Sequence, residues 1–209
     1  MSFLGLAVAA IDLHAQGSLT FQNTLGVGKE KYVFLPDPTN PTVAKYGGSF
    51  SDYEGFGRVA GTGYTAELWY GVGQNLSETS LRPIRGSQVS FRTGATAGLI
   101  NGKSKLDIDG TFGGDWVTLQ LRVWNNEGGT ISDWEHATER GASRPFNHVL
   151  AGLAPDGSPQ LGTGSIFNGI SHFSLTVPEP SGLFALGFGL VLMSAGRLRQ
   201  AMRSQRPRA

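Results

Sequence analysis

The chain contains no cysteine among its 209 residues. A disulfide framework and metal sites built on thiolates are therefore excluded. Charge is also scarce, at 16% of residues, and the hydrophobic share of 39% is below the usual globular level. Between residues 13 and 176 the chain has 12 Lys and Arg against 14 Asp and Glu, a balance of about −2. A body with this balance has no excess of Lys and Arg to contact the phosphates of nucleic acid, so we expect no nucleic-acid partner.

Glycine, by contrast, is abundant, with 31 copies. Gly, Ser, Thr and Asn recur between short apolar runs, a pattern typical of many turns and short strands. The chain is long enough for one domain of ordinary size with terminal segments. We therefore predict an all-β fold in which residues 16–176 form a single antiparallel β-sandwich, of jelly-roll or immunoglobulin-like type.

Two segments show the alternation of a half-buried strand most clearly. They are "WVTLQLRVW" at residues 116–124 and "GYTAELWYG" at residues 63–71. In both, apolar and polar side chains alternate, which predicts one face on the core and the other in solvent. Further strands are predicted at residues 18–23, 31–35, 88–92, 104–109 and 171–177.

One helix signal interrupts this pattern. Ser132 and Glu135 have the spacing of a capping box at the start of a helix, and Gly141 follows as a residue that ends helices. The sequence therefore predicts one or two helical turns in a loop between late strands.

The N-terminus has a short apolar segment at residues 3–11, with Ala15 before a candidate cleavage site. Residues 1–15 resemble a secretory signal peptide, although a positive leading region is missing and Asp12 interrupts the run. A buried N-terminal strand is the alternative interpretation. We expect an exported protein that is cut after Ala15.

Near the C-terminus, residues 182–196 form an apolar run of 15 residues without charge. As a helix this run is about 22 Å long, and flanking Ser181 and arginine stems extend it toward the ~30 Å of a bilayer core. We predict a transmembrane helix over residues 181–196. The basic tail, residues 197–209, then stays cytoplasmic and sets the orientation, through Arg197, Arg199, Arg203, Arg206 and Arg208. A buried core helix is disfavoured because these arginines would have to pack beside it.

A Pro-Glu-Pro triplet, Pro178, Glu179 and Pro180, precedes the apolar run. Prolines lack an N–H donor and hold the triplet extended. The triplet, apolar helix and arginine-rich end resemble a PEP-CTERM protein-sorting signal, here residues 177–209. In this sequence the arginines are spread through the tail and do not form one cluster.

The resemblance implies several partners and a location. In that family the tail is recognised by an exosortase, a membrane-embedded transpeptidase-like cysteine enzyme of Gram-negative bacteria that make exopolysaccharide. The chain would be anchored transiently in the inner membrane with its body outside. After processing it would reach the cell surface or extracellular matrix, in contact with exopolysaccharide.

The body loosely resembles the small β-rich proteins that carry this tail. The similarity lies at residues 17–23, in "YTAELWYG", at "FRTG" of residues 91–94, and in "LQLRVWN" of residues 119–125. No activity follows from it. We expect a non-enzymatic surface or matrix protein without a cofactor.

An alternative function is carbohydrate binding, because exposed aromatic rings stack on the apolar faces of sugars. The candidate residues are Trp69, Trp116, Trp124 and Trp134. Three of them fall on the polar faces of their strands, and Trp134 lies in the 125–145 segment. Packing of these rings under that segment is the competing interpretation.

Asp107, Asp109 and Asp115 lie in "DIDGTFGGD" and place hard oxygen ligands near a turn, as calcium requires. The EF-hand pattern is incomplete there, and a solvated hairpin turn is the alternative. The four histidines (His14, His136, His148 and His172) show no metal-ligand spacing. We expect no other metal site.

Overall fold

The computed structural model describes residues 16–162 and 164–178. Within them the predicted all-β class is confirmed, since the longest helical segment is a four-residue 3₁₀ turn at Phe50–Tyr53. No helix in these residues has the length and apolarity needed to cross a membrane. The twelve strands are β1 (Gly17–Phe21), β2 (Val33–Phe34), β3 (Tyr46–Gly47), β4 (Tyr64–Val72), β5 (Arg82–Pro83), β6 (Lys103–Ile108), β7 (Trp116–Asn125), β8 (Arg140–Ala142), β9 (Phe146–Val149), β10 (Gly152–Leu153), β11 (Pro159–Gln160) and β12 (His172–Ser174).

A five-stranded sheet is built around the two strands that the sequence identifies best. β4 and β7 pair antiparallel along nine residues, from Tyr64 opposite Asn125 to Val72 opposite Val117. β5 pairs with the other edge of β4, and β8 and β9 share the other edge of β7. The alternating apolar side chains of both strands fix this register, because a slip by one residue would turn them out of the core.

Three smaller sheets complete the described fold. β1 pairs antiparallel with β6, and β10 pairs with β11. β12 lies between β2 and β3, antiparallel to β3 but parallel to β2. The prediction of a wholly antiparallel arrangement is therefore wrong at this point. The parallel pair places Phe173 beside Val33, and both side chains are completely buried.

The hydrophobic core lies on the aliphatic face of the central sheet. Val117, Leu119, Leu121 and Val123 of β7 are fully buried, as the alternation predicts. They belong to one cluster with core residues from the other sheets, including Leu19, Phe21, Val33, Leu106, Ile108 and Phe173. Burial of such side chains stabilises the fold by about 1.5–3 kcal/mol each.

The opposite face of β7 was expected to be in solvent, and that prediction is wrong. Thr118, Gln120, Arg122 and Trp124 are 1%, 0%, 7% and 1% exposed. Loop segments cover this face with hydrogen bonds. Thr118 accepts from the N–H of Leu76, Gln120 donates to the carbonyl of Ser143, and Trp124 donates to the carbonyl of Ile131. In β7, alternation therefore distinguishes an apolar face from a polar face, and both faces are buried.

The helix predicted after Ser132 is absent. The side chain of Asp133, not that of Ser132, accepts the N–H of His136, which closes a single turn. The chain then enters β8 at Arg140, and Gly141 lies within that strand. Pairing of β8 with β7 overrides the local capping signal. Residues 88–92, predicted as a strand, make only isolated bridges such as Ala66 to Val89.

A close approach of two backbones at Gly102 gives a test of this fold. A Cβ at Gly102 would lie 2.0 Å from the carbonyl oxygen of Phe21. Gly102→Ala should therefore lower the free energy of unfolding by about 2 kcal/mol, as overpacking does. Gly63→Ala is the matched control, since a Cβ there meets nothing within 4 Å. Thermal unfolding followed by circular dichroism compares them, and equal midpoints would contradict the β1–β6 arrangement.

Candidate functional site

The chain leaves the folded body immediately before the Pro-Glu-Pro triplet. The N–H of Thr176 donates to Arg140, and the N–H of Val177 donates to Pro41 at 2.8 Å. Pro178 follows and is exposed. Glu179, Pro180, the 181–196 segment and the basic tail with its five arginines lie outside the described residues, as do residues 1–15 with Ala15. In the described part, therefore, Pro178 is placed at an accessible surface position.

The two tryptophans near the ends of β7, Trp116 and Trp124, have different environments. Trp124 is 1% exposed, and its indole N–H donates to the carbonyl of Ile131 at 3.2 Å. Trp116 is 45% exposed. Of this pair, only Trp116 has a ring accessible to a ligand.

The other two tryptophans stack with arginine. The guanidinium carbon of Arg122 lies 3.6 Å from the ring centre of Trp69 and 4.8 Å from that of Trp134. Arg140 lies 4.6 Å from the ring centre of Trp134. We call Trp69, Arg122, Trp134 and Arg140 the Arg–Trp stack. Cation–π contacts of this kind are favourable, more so when desolvated.

Hydrogen bonds hold the Arg–Trp stack in place. The indole N–H of Trp69 donates to Glu67 at 2.8 Å, and that of Trp134 donates to the carbonyl of Gly141 at 3.1 Å. Arg122 donates from Nε to Gln120 at 3.0 Å. Burial lowers the pKa of Arg122, and the nearby charge of Glu135 opposes that effect. The stack joins the 125–145 segment to the sheet, so these two indoles already have partners.

The three candidate calcium ligands have separate roles. Asp107 pairs with Lys105 at 2.8 Å, and Asp109 accepts from Gln16 at 3.0 Å. Asp115 accepts the backbone N–H of Phe112 at 2.8 Å. Across residues 16–162 and 164–178, no three His, Asp or Glu side chains form a group that could hold a metal ion. The structure thus does not bring these aspartates together as a ligand set.

Sequence reasoning missed an aromatic groove formed by residues next to β2, β3 and β12. A cavity of about 440 Å³ is lined by Lys31, Tyr32, Ser49, Phe50 and His172, among others. The side chain of Phe50, which lines this cavity, is 53% exposed. We call this cavity the Phe50 groove. Its volume is within the range of small-ligand sites.

The aromatic side chains around the Phe50 groove form a packed cluster. Phe34 stacks on Tyr53 at 4.1 Å between ring centres, and Phe50 meets Tyr32 edge-on at 5.3 Å. The ring of His172 lies parallel to Tyr32 at 5.9 Å. The three rings that line the groove, Tyr32, Phe50 and His172, are therefore packed against other aromatic rings.

His172 connects this cluster to the sheet. Its Nδ1 accepts the backbone N–H of Tyr32 at 2.9 Å. Burial lowers the pKa of His172, and the positive charge of Lys31 lowers it further. Because Nδ1 accepts this hydrogen bond, the ring proton lies on Nε2.

The groove was hard to find because its residues come from three distant segments. Tyr32 precedes β2, Phe50 begins a 3₁₀ turn, and His172 begins β12. The spacing of Phe50, Tyr53 and Phe56, each three residues apart, was the one available sequence signal. Three residues per turn is the period of a 3₁₀ helix, and Phe50 and Tyr53 belong to the one at residues 50–53. Phe56 follows this helix and packs edge-on against Tyr53.

Comparison with known proteins gave no match to a family model, to a curated protein or to a solved structure.

Proposed function

We propose that this chain is an exported, non-enzymatic surface or extracellular-matrix protein delivered by its C-terminal sorting signal. The observation that carries the proposal is the exit of the chain from the body. The last backbone hydrogen bond of the described chain is at Val177, and Pro178 is exposed directly after it. A processing enzyme at the membrane would therefore meet the triplet beside a body that is already folded.

The membrane part of the proposal is a helix over residues 181–196. In this proposal the body is a sandwich of jelly-roll or immunoglobulin-like type, and the helix follows it. Arginine in mid-bilayer costs ~2.5–3.5 kcal/mol on insertion scales, so the basic tail resists crossing. The tail would hold the triplet at the outer face until an exosortase-type enzyme cuts it. The body would then join the surface or the exopolysaccharide matrix.

Processing of a variant in which Pro178, Glu179 and Pro180 are all alanine tests this proposal. Insertion depends on the apolar run and the arginines, which that variant keeps. Cleavage depends on the triplet, so the full-length chain should accumulate in the membrane.

A second candidate function is carbohydrate binding at the Phe50 groove. The observation that favours it is the exposed ring of Phe50 in a cavity of about 440 Å³, whose lining also includes Ser49 and Lys31. Sugar recognition combines an apolar ring face with hydrogen-bonding groups at the rim. The groove has both, whereas two of the four tryptophans are engaged in the Arg–Trp stack.

Glycan binding by a fragment spanning residues 16–178 tests this second function. Phe50→Ala should weaken binding about tenfold, because an aromatic contact contributes about 1 kcal/mol or more beyond its area. Trp116→Ala is the control, since Trp116 is exposed on β7 and does not line the groove. Loss of binding in Trp116→Ala alone would transfer the site to the tryptophans. Absence of binding by the parent fragment on a glycan array would remove this function.

A further inference from the structure

A further cavity lies between β6 and the segment at the end of β5, and we call it the Arg85 cleft. Its volume is about 460 Å³, within the range of small-ligand sites. Pro83 and Arg85 line it from one segment, and Lys103, Lys105 and Asp107 line it from β6. The Arg85 cleft shares no lining residue with the Phe50 groove, so the two cavities are separate.

Part of the lining of the Arg85 cleft is apolar. Tyr70, Ile84 and Leu106 belong to the lining, and all three side chains are buried. Their surfaces in the cleft are therefore held in place by the core behind them. A sugar ring has an apolar face of C–H groups, and buried aromatic and aliphatic side chains suit such a face.

Positive charge is concentrated at this cleft. Arg85, Lys103 and Lys105 line it, and Arg82 lies next to it, since its guanidinium donates to the hydroxyl of Tyr70 at 2.7 Å. These are four of the 12 Lys and Arg between residues 13 and 176, in a body whose balance is about −2. Like charges that gather in one place repel each other, and a bound anion relieves that repulsion.

Two of these cations have donors available for a ligand. Within residues 16–162 and 164–178, Arg85 makes no side-chain hydrogen bond and no ion pair, whereas Lys105 pairs with Asp107 at 2.8 Å. Lys103 donates to the carbonyl of Gly86. That bond ties the two lining segments together and uses one of the three N–H donors of the ammonium group. Donors for an anion are therefore present on both segments.

Two carboxylates in the same cleft restrict the kind of anion. Asp107 and Asp109 belong to the lining, and Asp109 accepts from Gln16 at 3.0 Å. A carboxylate has about four acceptor positions, so both side chains can accept further hydrogen bonds. They would repel a ligand of dense negative charge, such as polyphosphate. They would bind a ligand that carries hydroxyl donors beside a carboxylate.

We propose that the Arg85 cleft binds an acidic polysaccharide through its uronate residues. The guanidinium of Arg85 and the ammonium of Lys103 bind the uronate carboxylate by charge-assisted hydrogen bonds. Asp107 and Asp109 accept from the ring hydroxyls, and the apolar lining contacts the C–H face. This site goes beyond both proposed functions, because it lies apart from the Phe50 groove and does not depend on the sorting tail.

Titration calorimetry of the full-length protein in nonionic detergent micelles tests the proposal, with an oligogalacturonate as the probe. The five tail arginines are replaced by glutamine in every chain, so that the basic tail does not bind the probe. The variant R85Q/K103Q should bind at least about tenfold less tightly, because both contacts to the carboxylate are lost. A neutral maltooligosaccharide of equal length should bind the parent at least about tenfold less tightly than the uronate.

The matched control is K29Q/R144Q, which also removes one lysine and one arginine. Both residues are exposed and do not line the cleft, so the control should keep the parental affinity. Equal losses in R85Q/K103Q and in the control would show attraction to net charge alone and would overturn the site. Arg85→Gln by itself breaks no bond within the described residues, so it should keep the circular dichroism spectrum and still weaken binding at least about threefold.

Three further results would overturn the proposal. Absence of oligogalacturonate binding by the parent would remove the site. Polyphosphate binding as tight as that of the uronate would make the cleft a general anion site without recognition of sugar hydroxyls. Loss of uronate binding in Phe50→Ala, with R85Q/K103Q unaffected, would place the acidic glycan in the Phe50 groove.

Discussion

Replacement of Arg122 by methionine is expected to lower the free energy of unfolding by about 3 kcal/mol. Methionine keeps most of the side-chain volume but removes the guanidinium between Trp69 and Trp134. Two partly desolvated cation–π contacts contribute about 0.5–2 kcal/mol each. Gln120, which is completely buried, also loses the donor to its Oε1, a cost of about 1–3 kcal/mol.

Denaturant unfolding of the 16–178 fragment, followed by tryptophan fluorescence, measures this effect. Arg85→Met is the matched control, because Arg85 is exposed and lies outside the stack. It should change stability by no more than about 0.5 kcal/mol. If Arg122→Met and Arg85→Met unfold at the same denaturant concentration, the Arg–Trp stack does not stabilise the body.

The stack also bears on function. A ring that already carries a guanidinium cannot present the same face to a sugar. Arg122 is only 7% exposed, so a ligand would have to displace a buried cation to reach Trp69. For this reason the carbohydrate alternative fits the Phe50 groove better than Trp69 or Trp134.

Strands with strict alternation were predictable from sequence. β4 and β7 have nearly the predicted bounds, because burial of their aliphatic face dominates local preference. The prediction that the polar face of β7 is in solvent is wrong, because alternation distinguishes polar from apolar side chains but does not show which segments cover them. The covering contacts come from Leu76, Ile131 and Ser143, which lie in separate irregular segments without a periodic signal. The parallel position of β12 depends on contacts between the two ends of the body, which a local pattern does not contain.

The candidate sites show the same limit. Asp107 and Asp109 are calcium candidates by their spacing, but their separate partners, Lys105 and Gln16, are known only from the folded chain. The Phe50 groove combines side chains more than a hundred residues apart, such as Tyr32 and His172. The Pro-Glu-Pro triplet could be recognised from sequence because its residues are contiguous and the sorting function proposed for it does not depend on tertiary contacts.

The central claim is that residues 177–209 address the chain for sorting and processing. Its most direct test uses a host with the cognate sorting enzyme and a mass-resolved blot of membrane and extracellular fractions. The matched control replaces Pro36, Asp37 and Pro38, another acidic residue between two prolines, with three alanines. These residues lie within the body, between Phe34 and Pro41, whose carbonyls accept the N–H groups of Leu175 and Val177. The control therefore changes the surroundings of the exit and leaves the triplet itself intact, so the control chain should be processed like the parent.

In the test variant Pro178, Glu179 and Pro180 become alanine. The account predicts that this variant inserts normally, escapes cleavage and accumulates at full length in the membrane fraction, while parent and control are shortened and released. Processing and release of the triple-alanine variant at the parental level would contradict the sorting function and leave the tail as a membrane anchor alone.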